Sequence, residues 1–210
     1  MAIVQAIENV GDIASAIDET AKKVSSAAQE VEKALRTVYE AVDADDTVAI
    51  RVANLTNYSF ELTREAHKQG KWADGAARGH NVLPPEQIDA WQLAACLTRD
   101  AGQLTGTKGR LHYTTEVGGD KHYGVFRWDN PGALSLQDNE AWAVSGTLDF
   151  ENGKLVITWP PTLESDVIKV MAFISSGNKA RALYVIVGAD LSPDAEEHLT
   201  SKLQLVNSVS

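Results

Sequence analysis

Tryptophan and tyrosine join a flat apolar body to one polar tip, which suits a water–lipid boundary or the face of a sugar ring. Trp72 falls in a polar stretch rich in Gly, His and Asn, and Trp128 immediately precedes Asp129-Asn130-Pro131, so both are expected beside loops. Trp91, Trp142, Trp159, Tyr113 and Tyr123 fall in alternating, strand-like patterns, where core packing is the ordinary role. Other chemistry is sparse. The five histidines, His67, His80, His112, His122 and His198, are scattered without the spacing of metal ligands. Gly-x-Ser-x-Gly, the phosphate-binding loop and the dinucleotide glycine fingerprint are absent. Carboxylate pairs such as Asp45-Asp46 and Glu196-Glu197 lie at the ends of elements, where solvation explains them. The single Cys96 sits in the apolar run Leu93-Ala94-Ala95-Cys96-Leu97 and is expected to be a buried, inert thiol. No catalytic residue, metal site or cofactor is expected.

The elements that would position the aromatics divide the chain in two, residues 1–45 and 46–210. Residues 3–43 contain no Pro and one Gly, and Ile3, Ile7, Val10, Ala14, Ile17, Ala21, Val24, Ala28, Val31, Leu35, Val38 and Val42 follow one another in alternating steps of four and three. That heptad spacing predicts a narrow apolar seam on a helix of roughly 60 Å, at about 1.5 Å per residue. Beyond the acidic break before Thr47 the texture becomes that of short strands. Thr47–Val52 reads as a half-buried strand, followed by Tyr58–Leu62, a loop from Gly70 to Pro85, and a strand from Ile88 to Thr98. Arg110–Thr115 and His122–Trp128 follow, joined through Gly118-Gly119-Asp120, with a turn cluster at Asp129–Gly132. Glu140–Phe150, the hairpin Glu151-Asn152-Gly153-Lys154 and Leu155–Trp159 come next, then Val167–Ile174 paired with Ala182–Val187. Ser192-Pro193 carries the cap and first-position proline of a short C-terminal helix. Strands without alternating helices predict an α+β, mainly β chain: an antiparallel β-sandwich preceded by the long amphipathic helix.

The composition excludes some partners. A net charge of −10 over 210 residues opposes nucleic-acid binding and simple adsorption to anionic lipid. Hydrophobic residues at 44% support a full core, so disorder is not expected. No stretch has the apolar length of a membrane span, and no secretory leader is recognisable, so the chain is expected to be made soluble and to leave the cell, if it does, by a non-classical route.

Several segments in order resemble aegerolysins, β-sandwich lipid-binding proteins whose fold is akin to that of actinoporins. They are Val48–Asn54, Gly70-Lys71-Trp72-Ala73-Asp74-Gly75, Pro84–Ile88, Thr105-Gly106-Thr107-Lys108-Gly109 with Tyr113, and Phe126-Arg127-Trp128-Asp129-Asn130-Pro131 with Trp142 beyond. The match covers about residues 47–150. The resemblance implies a membrane-binding, pore-forming cytolysin whose sandwich recognises lipid, sphingolipids among the candidates, through Trp72, Tyr113, Trp128, Asp129, Asn130, Pro131 and Trp142. The actinoporin aromatic cluster for phosphocholine has no counterpart: Gly132-Ala133-Leu134-Ser135-Leu136 stands after Pro131. Aegerolysins usually lack a long N-terminal helix. Here Ile3, Ile7, Val10, Ala14 and Ile17 would insert as helices assemble, with Glu8, Asp12 and Asp18 kept wet around a pore. Self-association and a pore-forming partner protein are compatible with this pattern. The alternatives are a carbohydrate-binding lectin, with Trp72 or Trp128 stacked on a pyranose, and a non-lytic oligomer held by the heptad helix.

Overall fold

The computed structural model describes residues 46–73, 82–102, 105–132, 135–147, 149–151, 154–156 and 165–208. The expected helix of residues 1–45, with its candidate inserting positions, and Trp159 lie outside them.

Among the described residues, twelve strands and one helix follow in order: β1 (Thr47–Asn54), β2 (Phe60–Gln69), β3 (Lys71–Trp72), β4 (Gln87–Ile88), β5 (Leu93–Arg99), β6 (Thr107–Val117), β7 (Asp120–Asn130), β8 (Glu140–Thr147), β9 (Asp149–Glu151), β10 (Lys154–Val156), β11 (Ile168–Ile174), β12 (Lys179–Gly188) and α1 (Pro193–Ser208). Sheet I has the order β11-β12-β1-β5-β3 and sheet II the order β4-β2-β6-β7-β8, while β9 and β10 pair with each other. The sandwich is therefore mixed where an antiparallel one was expected, because β1 runs parallel to β12, Thr47 beside Lys179 through to Asn54 beside Ile186.

Alternation along β1 explains why it is buried along its whole length, against the expectation of a half-buried strand. Val48, Ile50 and Val52 face sheet II and join Phe60, Leu111, Tyr113, Phe126, Trp128 and Tyr184 in the main core. On the opposite face Ala53 joins Leu183, Val185 and Val187 beneath Ala195, Leu199 and Leu203 of α1. A strand covered on both faces has no polar side to show. Each fully buried large apolar side chain contributes about 1.5–3 kcal/mol. Tyr113 and Tyr184 keep their hydroxyls satisfied by donating to the carbonyls of Pro85 at 2.8 Å and Arg127 at 2.6 Å. At the other side of the sandwich Ser145 Oγ donates to the Ile168 carbonyl at 3.0 Å, tying β8 of one sheet to β11 of the other.

Two hairpins form as their residues predict. Gly118 and Gly119 have φ of 65° and 95°, the left-handed pair that a two-residue turn between β6 and β7 requires. Glu151 pairs with Lys154, the residues on either side of Asn152-Gly153 in the sequence. Ser192 Oγ accepts from the Ala195 amide at 3.3 Å, capping α1, which runs on to Ser208. The expected strand from Ile88 to Thr98 is instead two strands separated by a tight turn, with the Gln92 amide on the Asp89 carbonyl at 3.2 Å. Asp129 and Asn130, expected in a turn, end β7 opposite Lys108 and Thr107.

Candidate functional site

The chain enters the sandwich at Thr47, and that end of the molecule gathers the motif residues into a packed plug. Trp72 of β3 lies between sheets with its ring 4.4 Å from His67 and 5.8 Å from Trp128. Trp128 has no exposed surface, and its Nε1 donates to Thr107 Oγ1 at 3.2 Å. Thr107 Oγ1 is in turn 2.7 Å from Thr98 Oγ1, which also meets His67 Nε2 at 2.9 Å. Gly109 lies against the Trp128 ring, where a Cβ would overlap the indole and the Ala66 carbonyl. Buried Asn130 donates to the carbonyls of Asn178 at 2.9 Å and Thr47 at 3.3 Å, and accepts from the Gly132 amide at 3.2 Å. Asp129 is ion-paired with Lys108.

The residues expected to contact lipid are divided between the interior and the surface. Tyr113, Trp128 and Asn130 are interior residues whose polar groups are hydrogen-bonded within the fold. Trp72 is half-buried in the plug, and Asp129 and Pro131 are half-buried beside it. Trp142 is exposed, on the outer face of sheet II, with the Arg127 guanidinium 5.4 Å from its ring centre. The seven residues do not converge on one site.

That outer face is basic. Arg110 stands opposite Arg127 across β6 and β7, and Arg64 stands opposite His112 across β2 and β6. Burial, then the neighbouring Arg64 and Arg127, lowers the pKa of Arg110. Burial, then Arg110 and Arg64, pushes that of His112 down to about 4. His122 Nδ1 lies 3.0 Å from Ser165 Oγ, but that oxygen also accepts from the Val167 and Ile168 amides, which makes it the pin of a turn.

The opposite end, where β1 leaves, holds an open cleft of about 410 Å³. The β1–β2 connection supplies Asn57, Tyr58 and Ser59, β2 supplies Glu61 and β4 supplies Gln87. The β6–β7 hairpin closes it with Thr114, Thr115, Glu116 and Lys121. Asn54, with no exposed surface, organises this end. Its Nδ2 donates to the carbonyls of Tyr58 at 2.6 Å and Asp89 at 2.9 Å, and its Oδ1 accepts from Thr56 N at 3.1 Å and Thr56 Oγ1 at 2.8 Å. One side chain thus fastens the β1–β2 turn to the β4–β5 turn.

Trp91 is not part of the lining but is bonded to Asn57, which is. It sits in the β4–β5 turn with φ of 62°, a left-handed conformation that is strained for a bulky residue, and 42% of it is exposed. Its Nε1 donates to Asn57 Oδ1 at 3.1 Å, so the indole is tethered to the cleft wall. Sequence patterning put Trp91 in a strand, because no Gly or Pro marks Asp89–Gln92 as a turn. Glu61, Glu116 and Lys121 carried no motif, and Gln87 stood out only within the family-like Pro84–Ile88 segment; their meeting in the fold identifies them as a group.

Among the described residues no three His, Cys, Asp or Glu side chains converge as metal ligands, and no helix is long and apolar enough to cross a membrane.

No protein-family model matches the chain, and no curated protein matches it in sequence. Among solved structures, the crystal structure of the lipid binding protein Nakanori superposes with a TM-score of 0.59 at 17% identity, over 89% of this chain and 92% of that one. At that identity the likeness is one of fold.

Proposed function

We propose that the protein binds membrane lipid through the end of the sandwich that carries Trp91 and the cleft. The observation that carries this reading is Trp91: a large, tethered, solvent-facing indole, held in a strained backbone conformation beside a polar cleft. The indole would settle at the lipid interface while the cleft receives a headgroup. The shared fold with a protein described as lipid binding supports the same reading, as does the resemblance of residues 47–150 to aegerolysins. With a net charge of −10, attachment relies on shape and apolar contact rather than on bulk charge.

Pore formation is the second part of the proposal. Residues 1–45 join the sandwich at the end opposite the cleft, and eight-residue β1 separates the two ends by roughly 26 Å at about 3.3 Å per residue. A helix of roughly 60 Å turned back along the sandwich would span that distance and let Ile3, Ile7, Val10, Ala14 and Ile17 reach the bilayer while the cleft holds its headgroup. Sphingolipid headgroups are the candidate receptors, and the heptad seam provides self-association as the helices gather.

The test combines vesicle flotation with dye release, for the full chain, for Trp91→Ala and for the chain starting at Asp45. Trp91→Ala is expected to weaken flotation at least tenfold, and the shortened chain to float without releasing dye. Undiminished flotation of Trp91→Ala removes the cleft end as the docking surface, and dye release by the shortened chain removes the helix as the pore former.

A further inference from the structure

We infer that the cleft selects a sugar-bearing headgroup, an uncharged hydroxyl-rich ring, over a phosphate-bearing one. The inference rests on the cleft being the headgroup site and deepens that reading.

The charges decide against phosphate. Recognition of a phosphate group calls for an arginine fork, clustered lysines or a nest of backbone amides. The lining contains two carboxylates, Glu61 and Glu116, and one cation, Lys121. Glu116 and Lys121 are direct partners across the β6–β7 hairpin, so that cation stands beside a carboxylate. Asp89 adds a third negative charge behind the wall, where it accepts from Ser59 Oγ at 3.3 Å and from Gln87 Nε2. A phosphodiester brought here would face net negative charge and would lose its hydration without gaining a matching donor set.

The same groups suit a pyranose. Carboxylates accept from adjacent ring hydroxyls, the Gln87 amide and Lys121 donate to them, and the Thr114 and Thr115 hydroxyls do either. Sugars also present a patch of C–H groups, for which Trp91, bonded to Asn57 of the lining, provides a flat apolar plate. The plate is preorganised by the Asn57 hydrogen bond, which limits the entropy lost on binding. The sugar is placed on a lipid, not on a soluble glycan, because the hydrogen-bonded indole of Trp91 keeps apolar surface exposed for the bilayer interface.

Flotation with the full chain would compare vesicles carrying glucosylceramide or galactosylceramide with vesicles carrying the same fraction of sphingomyelin. At least tenfold preference for a glycosylceramide is expected, reduced at least tenfold by Glu61→Gln and by Glu116→Gln. Both residues are exposed and their amides preserve size, so circular dichroism should show an unchanged fold. Equal or stronger binding to sphingomyelin, sensitive to Trp91→Ala, overturns the sugar preference and leaves the membrane reading standing. Binding to a glycan array without flotation on any vesicle keeps the sugar and overturns the lipid. Binding to neither overturns both.

Discussion

Replacing Trp128 with phenylalanine separates an interior role for the Phe-Arg-Trp-Asp-Asn-Pro motif from a lipid-contact role. The indole has no exposed surface, so the smaller ring removes roughly 40 Å² of apolar contact, about 1 kcal/mol at about 25 cal/mol per Å². The space left unfilled adds about 1 kcal/mol. Loss of the hydrogen bond to Thr107 adds about 1 kcal/mol, and not the larger penalty for an orphaned group, since Thr107 keeps Thr98 at 2.7 Å. The variant should therefore lose about 2–3 kcal/mol and melt roughly 5–10 °C lower. Far-UV circular dichroism would follow urea and thermal unfolding, and vesicle flotation would be measured well below the melting point. Weakened stability with undiminished flotation is expected. Unchanged stability with lost flotation would falsify the interior assignment and return Trp128 to the lipid surface.

Asn54→Ala should cost about 2–4 kcal/mol in urea unfolding, because it leaves the Asp89 carbonyl and the Thr56 amide without their partner and the Tyr58 carbonyl with only the longer bond from Thr56 Oγ1. Flotation should weaken as well, since the two turns that frame the cleft are no longer fastened. His112 sets a pH dependence. The folded protein keeps the ring neutral down to about pH 4, whereas the unfolded chain protonates it near 6.5. Between these values the unfolded state binds more protons, so stability falls as pH is lowered through that window, by at most about 3 kcal/mol. In His112→Gln the slope of unfolding free energy between pH 6.5 and pH 4 should be shallower than in the parent; an identical slope removes His112 as its source.

The sandwich was legible in the sequence because alternation and turn residues speak locally. Gly118-Gly119, Asn152-Gly153 and Ser192-Pro193 each mark a boundary through backbone chemistry that needs no tertiary context. The parallel pairing of β1 with β12 was not legible, since nothing in Val48–Val52 states which distant strand lies beside it. The candidate site was less legible still. The family-like motifs drew notice to Trp72, Thr105–Gly109 and Phe126–Pro131, and the fold explains their types by packing. Gly109 makes room for the Trp128 ring, Thr107 receives its Nε1, and Asn130 ties the end of β7 to the starts of the paired strands β1 and β12. Such a plug constrains residue identity as tightly as a ligand would. The cleft residues make few demands on local structure, and Trp91 occupies a turn whose sequence looks like a strand.

The pairing of β1 with β12 also governs how the molecule is made. Of the described strands, β1 leaves the ribosome first and its parallel neighbour leaves last. Until then β1 has β5 on one side and an open edge on the other, carrying the apolar run Val48-Ala49-Ile50. Contacts so distant along the chain slow folding, and an open apolar edge can capture a neighbouring nascent chain. A transcript cut short before Lys179 would thus yield an aggregating fragment rather than a smaller working domain, and production of the protein depends on completing the chain.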